Sequence, residues 1–281
     1  MRILVTGAAG FIGFHTTLTL LKNKKNQLFG IDNISDYYDV NLKKNRIKIL
    51  KNNKNFSFYK IDITNKKKLN NFFNKKKIDI VIHLAAQAGV RYSVENPDSY
   101  FDSNIEGFFN ILKLSNLYKV KHFIFASSSS VYGDNINFPL KEDYDTSSPL
   151  SFYAASKKCN EIMAYSFSNI YKLPCTALRF FTVYGPYGRP DMALFKFVKS
   201  ITEGKKIELY NGGNHTRDFT YIDDAVDQLV KLINKPPKTT KPFIALNIAS
   251  SKPIKLIKYI KIIESNLKKK GKYLFKEKPR G

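Results

Sequence analysis

The sequence feature that most constrains the fold is a glycine-rich turn that follows a short apolar run. Ile3-Leu4-Val5 is typical of a buried strand, and residues 6–13 (TGAAGFIG) carry a glycine at every third position. In a strand–turn–helix unit the first two glycines let the backbone approach a pyrophosphate, and the third lets the helix pack against the strand. A tight turn without a ligand is the alternative. The pattern predicts a dinucleotide phosphate site at the helix N-terminus. The predicted contacts are Gly7, Gly10, Phe11, Ile12 and Gly13.

A carboxylate follows at the position where such a unit holds a ribose. The second apolar run (residues 27–31) ends in Asp32, nineteen residues after the last glycine of the turn. A carboxylate there accepts hydrogen bonds from the adenosine ribose and repels a 2′-phosphate. No arginine or lysine lies between the turn and Lys22 to bind that phosphate. We therefore expect NAD rather than NADP, with Asp32 and the adjacent Asn33 as ligands.

Strand-like runs alternate with helix-length segments along most of the chain. After the first two runs, further runs end at Ile61, His83, Ala126, Arg179 and Ile248. This alternation predicts parallel strands joined by right-handed crossovers, which is a doubly wound (Rossmann) α/β sheet. We expect an NAD-binding domain at residues 1–173 and a smaller C-terminal substrate-binding lobe at residues 174–281, with residues 243–248 returning to the sheet edge.

Small and polar residues follow three of these runs, at the edge where parallel sheets bind ligands. Asp62-Ile63 follow the third run, where an adenine ring could rest, and Leu84-Ala85-Ala86 follow the fourth, where small side chains leave room for a dinucleotide. Close helix packing is the alternative for the second group. The fifth run leads into Ser127-Ser128-Ser129-Ser130, either a plain polar loop or donors to a sugar near the nicotinamide. His83 is interpreted as a structural residue.

A tyrosine and a lysine open the long apolar-periodic segment that follows. Tyr153 and Lys157 are four residues apart, so both side chains project from one face of a helix. A free tyrosine has a pKa of about 10, and a fixed cation nearby favours the phenolate and draws the pKa toward neutrality. Such pairs also occur by chance on solvated helices. Together with the cofactor motifs, the pair predicts an acid/base centre.

The net charge of +24 could indicate a nucleic-acid-binding protein. The excess is mostly lysine, in clusters at predicted helix ends and loops, so we prefer a solvated lysine-rich surface and expect no nucleic-acid partner. Cys159 and Cys175 lack metal-ligand spacing and are interpreted as small buried hydrophobic residues in a reducing compartment, so we expect no metal site. No apolar run reaches the length of a membrane span, and no export signal precedes Ile3. These observations predict a cytoplasmic protein without a membrane partner.

Together these motifs resemble the extended short-chain dehydrogenases/reductases that act on nucleotide sugars, the NAD-dependent epimerase/dehydratase family. The residues that carry the resemblance are the glycine turn, Asp32-Asn33, residues 83–86, the serine-rich strand end before Val131-Tyr132-Gly133, and Tyr153 with Lys157. Within this family the sequence is most similar to UDP-glucuronate 4-epimerases. The similarity covers four longer stretches: residues 30–42 (GIDNISDYYDVNL), 85–93 (AAQAGVRYS), 179–197 (RFFTVYGPYGRPDMALFKF) and 217–224 (RDFTYIDD).

The resemblance implies a reaction and a role for each matching residue. Tyr153 would be the base that takes the proton of the C4 hydroxyl while the C4 hydride passes to NAD, and the 4-keto sugar would turn over and receive both back. Lys157 would orient the nicotinamide ribose and lower the pKa of the phenol. Ser128 would bridge Tyr153 and the sugar, and Arg217 matches a pyrophosphate ligand.

Three further positions follow from the same resemblance. Phe180 matches a cofactor contact, and Asn104 and Thr182 match positions that line the substrate cleft. Without the family, a capping asparagine and a buried threonine explain the last two equally well.

Two serines favour epimerisation over related reactions. The related 4,6-dehydratases carry an Asp-Glu pair, and the decarboxylases a Glu, where this sequence has Ser129 and Ser130. With Ser128, these hydroxyls could hold a C6 carboxylate without neutralising it. Arg91 and Arg189 are the available cations, although either could be a surface or phosphate contact instead.

The expected reaction is therefore the conversion of UDP-glucuronate to UDP-galacturonate, a step of polysaccharide biosynthesis. The alternatives are a UDP-glucose/galactose 4-epimerase, a UDP-glucuronate decarboxylase and an inactive nucleotide-sugar-binding protein. The family also implies a homodimer, in which helices at about residues 96–118 and 152–171 stack against their symmetry mates. Family members continue past residues 278–281, so we expect this chain to lack final helices and part of the nucleotide pocket.

Overall fold

The computed structural model describes residues 1–135 and 137–276. The end of the predicted lobe, including residues 278–281, lies outside the described residues. Within the described part the strands are, in chain order, β1 (Arg2–Thr6), β2 (Gln27–Asp32), β3 (Phe56–Lys60), β4 (Ile80–His83), β5 (His122–Ser128), β6 (Cys175–Phe180), β7 (Thr182–Tyr184), β8 (Lys206–Tyr210), β9 (Thr216–Tyr221), β10 (Phe243–Ile248), β11 (Pro253–Lys255) and β12 (Lys272–Lys276).

The helices connect these strands in the alternating pattern that the sequence predicts. They are, in chain order, α1 (Phe11–Leu20), α2 (Val40–Lys51), α3 (Lys66–Lys75), α4 (Tyr92–Glu95), α5 (Pro97–Tyr100), α6 (Phe108–Leu117), α7 (Phe152–Tyr171), α8 (Ala193–Thr202), α9 (Ile222–Leu232) and α10 (Leu256–Leu267). A π-helical segment joins α5 to α6, and short 3₁₀ turns follow β5 and β8.

Seven strands form one sheet in the order β10-β6-β5-β4-β1-β2-β3. Every neighbouring pair in this sheet is parallel. The strand order reverses between β1 and β4, so the loops after these two strands part and open a crevice at the carboxyl edge. The doubly wound α/β prediction is confirmed, and β10 lies at the sheet edge beside β6 as expected.

Apolar side chains cover both faces of this sheet. On one face, helices α1 and α9 pack with Phe14 and Leu229 in the core. On the other, α3 and α6 pack with Phe73 and Phe108. Because strands such as β1 are buried on both faces, their sequences are continuously apolar rather than alternating. Burial of each such side chain contributes about 1.5–3 kcal/mol before conformational entropy is counted.

A smaller group of elements packs beside the carboxyl edge of the sheet. Strands β8 and β12 pair in parallel, and β7, β9 and β11 form a three-stranded sheet. Helices α8 and α10 cover them with a core that includes Ile201, Leu209 and Ile260. In the same core the Phe219 and Tyr259 rings stack with centroids 3.8 Å apart. Because β6 and β10 belong to the large sheet, the chain passes repeatedly between the two groups, and a domain boundary at residue 173 stays a prediction.

The two helices expected to be long are both present, but the first is composite. It runs through α5, the π-helical segment Phe101–Gly107 and α6. Helix α7 spans Phe152–Tyr171 as one piece, and the Ser151 hydroxyl caps it by accepting a hydrogen bond from the Ala154 N–H at 3.1 Å. No helix in the described part of the chain has the length and apolarity needed to cross a membrane. Cys175 is buried, whereas Cys159 is only half-buried, which differs from the fully buried position expected for it.

Candidate active site

A cleft of about 940 Å³ opens at the carboxyl edge of the large sheet, between the sheet and the smaller group of elements. Most of the residues that the sequence singled out line it. Those from the cofactor set are Gly7, Gly10, Phe11, Ile12, Gly13, Asp32, Asn33, Ile63, Leu84, Ala85, Ala86, Ser127 and Phe180. Those from the catalytic and substrate sets are Tyr153, Lys157, Ser128, Ser129, Ser130, Thr182, Arg189 and Arg217.

The glycine turn forms one wall of the cleft through its backbone. Gly7 has a φ of +70°, and a Cβ there would lie 2.7 Å from the backbone nitrogen of Ala85. A Cβ on Gly13 would lie 2.1 Å from the carbonyl oxygen of Gly7, so the helix could not pack as it does. Helix α1 starts at this turn without a side-chain cap, which leaves its first N–H groups available to an anion. This geometry fits a pyrophosphate.

Asp32 lies at the end of β2, beside the same turn. Its carboxylate accepts hydrogen bonds from the backbone N–H groups of Ala9 at 3.0 Å and Ile34 at 2.8 Å. Burial raises the pKa of Asp32, while these two bonds and the charges of Lys43 and Arg46 oppose the rise. The carboxylate is therefore fixed at the cleft wall, where it fits a ribose ligand.

Lys43, on α2, also lines the cleft and was missed by the sequence argument against NADP. Its ammonium donates to the carbonyl and the hydroxyl of Ser35 at 2.7 and 2.9 Å. The segment between the glycine turn and Lys22 carries no basic residue, but the later helix α2 brings Lys43 to the same pocket. Among the residues of the cleft, Asp32 is the one that favours NAD over NADP.

Tyr153 and Lys157 lie together at the inner end of the cleft, both on α7. The Lys157 ammonium donates to the carbonyl of Ala126 at 2.9 Å, and burial lowers the pKa of Lys157 to about 8. Burial raises the pKa of Tyr153, while a hydrogen bond with Ser128 and the charge of Arg189 lower it. The expectation that Lys157 draws the pKa of Tyr153 toward neutrality is therefore not met, because burial outweighs the opposing effects and Lys157 is not among them.

The four serines that end β5 and begin the 3₁₀ turn after it have different partners. The Ser127 hydroxyl donates to Glu161 at 2.6 Å, so it is engaged within the protein even though the residue lines the cleft. The hydroxyl oxygens of Ser128 and Ser130 lie 3.1 Å apart, and the Ser128 hydroxyl accepts a hydrogen bond from the Ser130 backbone N–H at the same distance. Ser129 completes the hydroxyl-rich end of the cleft.

Two of the predicted arginines lie at the cleft wall. Arg189 donates to Asp191 from Nε at 3.0 Å and from Nη2 at 2.5 Å, so the guanidinium and carboxylate form a two-point pair. Burial alone would lower the pKa of Arg189, but the bond and charge of Asp191 raise it overall. Arg217, on β9, donates to the Thr216 carbonyl at 3.0 Å, and burial lowers the pKa of Arg217.

Three predicted site residues do not line the cleft. Arg91 is exposed, and its guanidinium lies 4.3 Å from the centroid of the Tyr210 ring. Asp62 accepts a hydrogen bond from the Asn33 amide at 2.8 Å, while its neighbours in sequence face the cleft. Asn104 is 1% exposed and braces the backbone of Gln87.

The bonds of Asn104 explain why it is so deeply buried. Its Oδ1 accepts from the Gln87 N–H at 2.8 Å, and its Nδ2 donates to the Gln87 carbonyl and to the Ser156 hydroxyl, each at 3.0 Å. Asn104 therefore connects the loop after β4 to α7, and a contact with substrate is not part of its geometry.

His83 keeps the structural role expected of it. Its Nδ1 lies 2.7 Å from the Thr6 hydroxyl, and its ring packs against Phe108 and Phe123. Burial lowers the pKa of His83 to about 3, with a smaller contribution from the charge of Lys157. The imidazole is therefore neutral at physiological pH.

Several cleft residues were not singled out from the sequence. Besides Lys43, they include Tyr37, Tyr38, Gln87 and Asn247. The two tyrosines lie in the stretch of residues 30–42 that carried part of the resemblance, which is the signal that could have found them. For Asn247, at the end of the edge strand β10, no local pattern indicates a role.

Comparison with known proteins agrees with this geometry. Residues 3–249 match the NAD dependent epimerase/dehydratase family. The chain belongs to this family. It is 46% identical to Protein CapI of Staphylococcus aureus over 286 residues, covering 97% of this chain and 85% of the relative. It is 45% identical to a UDP-glucuronate 4-epimerase of Thermodesulfobacterium geofontis over 272 residues, covering 96% of this chain and 81% of the relative.

A solved structure is also closely similar. The UDP-glucuronic acid 4-epimerase of Bacillus cereus, in complex with UDP-glucuronic acid and NAD, superimposes with a TM-score of 0.93 at 35% identity. The match covers 100% of this chain and 88% of the other.

Proposed function

We propose that this chain catalyses the NAD-dependent 4-epimerisation of a UDP-sugar, and that its substrate is UDP-glucuronate, converted to UDP-galacturonate. The observation that carries the proposal is that Tyr153, Lys157 and Ser128 line one cleft together. The residues that follow Ser128 in this lining are the serines Ser129 and Ser130, not carboxylates. The named relatives support the substrate, since two of them act on UDP-glucuronate.

In the proposed reaction Tyr153 is the acid/base group. When bound, NAD would supply the hydride acceptor for C4 of the sugar and, in its reduced form, the donor that returns the hydride to C4. The phenolate oxygen of Tyr153 takes the proton of the C4 hydroxyl. After the 4-keto sugar has rotated to present its opposite face, Tyr153 returns a proton to the oxygen on C4. Ser128, hydrogen-bonded to Tyr153, holds the phenol in place and stabilises its deprotonated form. The buried Lys157 contributes a positive charge beside the site when it is protonated.

The other wall is suited to keeping a C6 carboxylate on the sugar. In a 4-keto uronic acid the carboxylate is β to the ketone, so it can leave as CO₂ when its bond aligns with the carbonyl π-system. Fixed neutral donors oppose this by holding the carboxylate near the ring plane. We assign that role to the hydroxyls of Ser129, Ser130 and Thr182, with Arg189 as the nearby cation. Because Asp191 offsets the charge of Arg189, the cation attracts the carboxylate without neutralising it fully.

The cofactor is proposed to be NAD because Asp32 is fixed at the ribose end of the cleft. Acid release of the nucleotide bound to the purified chain should yield NAD. Recovery of NADP as the main nucleotide would contradict the proposal.

Product analysis by proton NMR tests the reaction. UDP-glucuronate, UDP-glucose and UDP-xylose are incubated separately with the chain and NAD. We expect UDP-galacturonate from the first sugar and little turnover of the other two. Equal turnover of UDP-glucose would indicate a UDP-glucose 4-epimerase, and a UDP-pentose as the main product would indicate a decarboxylase.

A homodimer is part of the proposal. Large apolar side chains are exposed along the composite helix and α7, among them Phe101 (54%), Leu117 (59%) and Ile162 (58%). Large apolar side chains exposed on two packed helices favour an interface, and two such helices per protomer would form a four-helix bundle. Light scattering should give twice the chain mass, and Ile162→Glu should give a monomer. The cytoplasmic location stays a prediction from the sequence.

A further inference from the structure

A buried network of charged groups and hydroxyls lies directly behind the catalytic serine. Arg179, on β6, donates to both carboxylate oxygens of Glu161, on α7, at 2.9 Å each, and the two side chains are 5% and 4% exposed. The Ser127 hydroxyl donates to the same carboxylate at 2.6 Å. A buried ion pair is often no more stabilising than apolar residues of similar size. Its presence here therefore calls for a reason other than stability.

The position of the pair suggests that reason. Glu161 lies two turns after Tyr153 on the same face of α7. Ser127 is adjacent to Ser128, the residue that hydrogen-bonds Tyr153, and in the sheet register Ser127 lies opposite Arg179. One carboxylate thus joins the ends of two strands to the helix that carries the catalytic tyrosine.

A second arm of the network reaches the cleft wall. Nη1 of Arg179 donates to the Tyr132 hydroxyl at 2.9 Å and to the Glu142 carbonyl at 3.0 Å. The Tyr132 hydroxyl donates to Asn247 Oδ1 at 2.7 Å, and the Asn247 amide donates to the carbonyl of Leu140 at 3.0 Å. Leu140 and the two residues before it line the cleft.

We propose that Glu161 and Arg179 are positioning residues for the reaction: their ion pair fixes Ser128 against Tyr153 through Ser127, and holds the cleft wall at residues 138–140 through Tyr132. The inference rests on the proposed function, in which Tyr153 is the base. Neither member of the pair lines the cleft, so both act through other residues.

The first arm should be visible in the titration of Tyr153. The titratable and polar groups around this phenol are Ser128, at the end of β5, Arg189, and Tyr100, whose ring centroid is 6.1 Å away. Lys157 lies four residues further along α7 and lines the same cleft. The bond with Ser128 lowers the pKa of Tyr153 against the effect of burial. Release of Ser128 should therefore raise that pKa and move the acid limb of the kcat profile to higher pH.

Ser127→Ala is the decisive variant, because it removes one hydrogen bond and leaves the ion pair in place. The pKa of Tyr153 is measured in the NAD-loaded chain by ¹³C NMR of labelled tyrosine, with the resonance identified by its absence in Tyr153→Phe. We expect a rise of about one unit and a roughly tenfold lower kcat at pH 7, since each unit is tenfold in the fraction of base. Ser127→Thr, which keeps the hydroxyl, should restore both values.

Two further variants separate the arms. Glu161→Leu combined with Arg179→Met replaces the ion pair by apolar side chains of similar size and so should fold. We expect it to raise the pKa of Tyr153 at least as much as Ser127→Ala and to raise KM as well. Tyr132→Phe breaks only the second arm and should raise KM without moving that pKa. Glu264→Gln, in the buried-carboxylate network of the smaller group of elements, is the matched control and should change neither.

An unchanged pKa of Tyr153 and an unchanged kcat profile in folded Ser127→Ala would overturn the inference and leave the network a purely structural one. The titration needs no substrate, so the two proposals can fail separately. A shifted pKa in a chain that epimerises no UDP-sugar would reject the function and keep the positioning role. Normal epimerisation of UDP-glucuronate by the unmutated chain, with an unshifted pKa of Tyr153 in Ser127→Ala, would keep the function and reject the positioning role.

Discussion

The cofactor half and the substrate half of the cleft are built in different ways. The cofactor half consists of loops that directly follow neighbouring strands: the glycine turn after β1, Asp32 at the end of β2 and Ala85 after β4. The substrate half gathers residues from distant segments, such as Thr182, Arg189 and Arg217. Backbone geometry dominates the first half, whereas side-chain direction and charge pairing dominate the second.

This contrast explains which mutations should act through shape and which through charge. At Gly7 and Gly13 any Cβ collides with backbone, so the cofactor half tolerates no local change there. At Arg189 the side chain is paired with Asp191, so its effect depends on a partner that the sequence spacing alone does not reveal. Mutations in the two halves should therefore differ in their effects.

The largest effect on turnover is expected for Tyr153, which lies between the cofactor half and the substrate half of the cleft. Tyr153→Phe removes the proton acceptor and keeps the ring, so kcat for UDP-glucuronate should fall by roughly 10² to 10⁴. Binding in both halves should largely persist, because the ring of Tyr153 and the other residues that line both halves stay in place. The checks are initial rates, NAD content and calorimetric titration with UDP-glucuronate. Tyr118→Phe, at the C-terminal end of α6, is the control and should keep full activity. Near-normal turnover by Tyr153→Phe would reject the proton path.

The same contrast describes what the sequence could predict. The sheet and the cofactor half follow from local patterns, because a glycine turn and the residues after parallel strands meet at one edge by topology. The directions of Arg91 and Asn104 do not follow from local patterns. Arg91 lies after a loop, and its guanidinium contacts the ring of Tyr210. Asn104 is buried in the π-helical segment, and both ends of its side-chain amide are hydrogen-bonded to the backbone of Gln87. Spacing in the sequence places such residues near the site but cannot choose their partners.

The pKa values of the site residues and the position of Lys43 could not be predicted from the sequence either. The pair of Tyr153 and Lys157 was found by spacing, but burial determines the pKa of each group, and burial depends on the complete fold. Lys43 lines the cofactor half from α2, a helix whose position relative to the glycine turn depends on the fold and not on sequence spacing.

The second prediction concerns the cost of burying the catalytic lysine. Burial lowers the pKa of Lys157 from 10.5 to about 8, so at pH 7 the folded state carries a cost of about 3 kcal/mol. Between pH 8 and 10.5 the unfolded state binds more protons than the folded state, so this cost decreases as the pH rises. Lys157→Met should raise the free energy of unfolding at pH 7 by up to that amount, less the lost bond to Ala126, while abolishing most turnover.

Urea denaturation at pH 7 and pH 9.5 measures this effect. The unmutated chain should gain stability relative to Lys157→Met as the pH rises through this window. Equal pH dependence in the two chains would show that Lys157 is not buried as a costly cation.

The third prediction addresses the substrate half. Arg189→Ala should lower kcat/KM for UDP-glucuronate by roughly ten- to a hundredfold, because a charge-assisted hydrogen bond contributes about 1.5–3 kcal/mol. Any residual activity on UDP-glucose should change much less, since that sugar has no carboxylate. Asp191→Asn is the matched variant: it keeps the arginine but weakens its orientation, and should have an intermediate effect. Equal losses for both sugars would assign Arg189 to the phosphates or to the fold.

The smallest effect on turnover is expected for Arg91, which was predicted to bind substrate but does not line the cleft. Arg91 is exposed and contacts the Tyr210 ring, 4.3 Å from its guanidinium carbon. An exposed cation–π contact is worth about 0.5–1 kcal/mol. Arg91→Ala should therefore reduce the free energy of unfolding by about that amount and change kcat/KM for UDP-glucuronate by less than about threefold.

A double-mutant cycle with Tyr210→Leu isolates this contact. If Arg91 serves only to join the loop after β4 to the end of β8, the two single variants should lose similar stability and the double variant should lose little more. The same cycle measured in kcat/KM should show no coupling, because neither side chain lines the cleft. A loss of UDP-glucuronate turnover in Arg91→Ala as large as that in Arg189→Ala would mean that Arg91 swings into the cleft on binding. The substrate half would then be completed by the ligand, unlike the cofactor half, whose backbone walls are already in place.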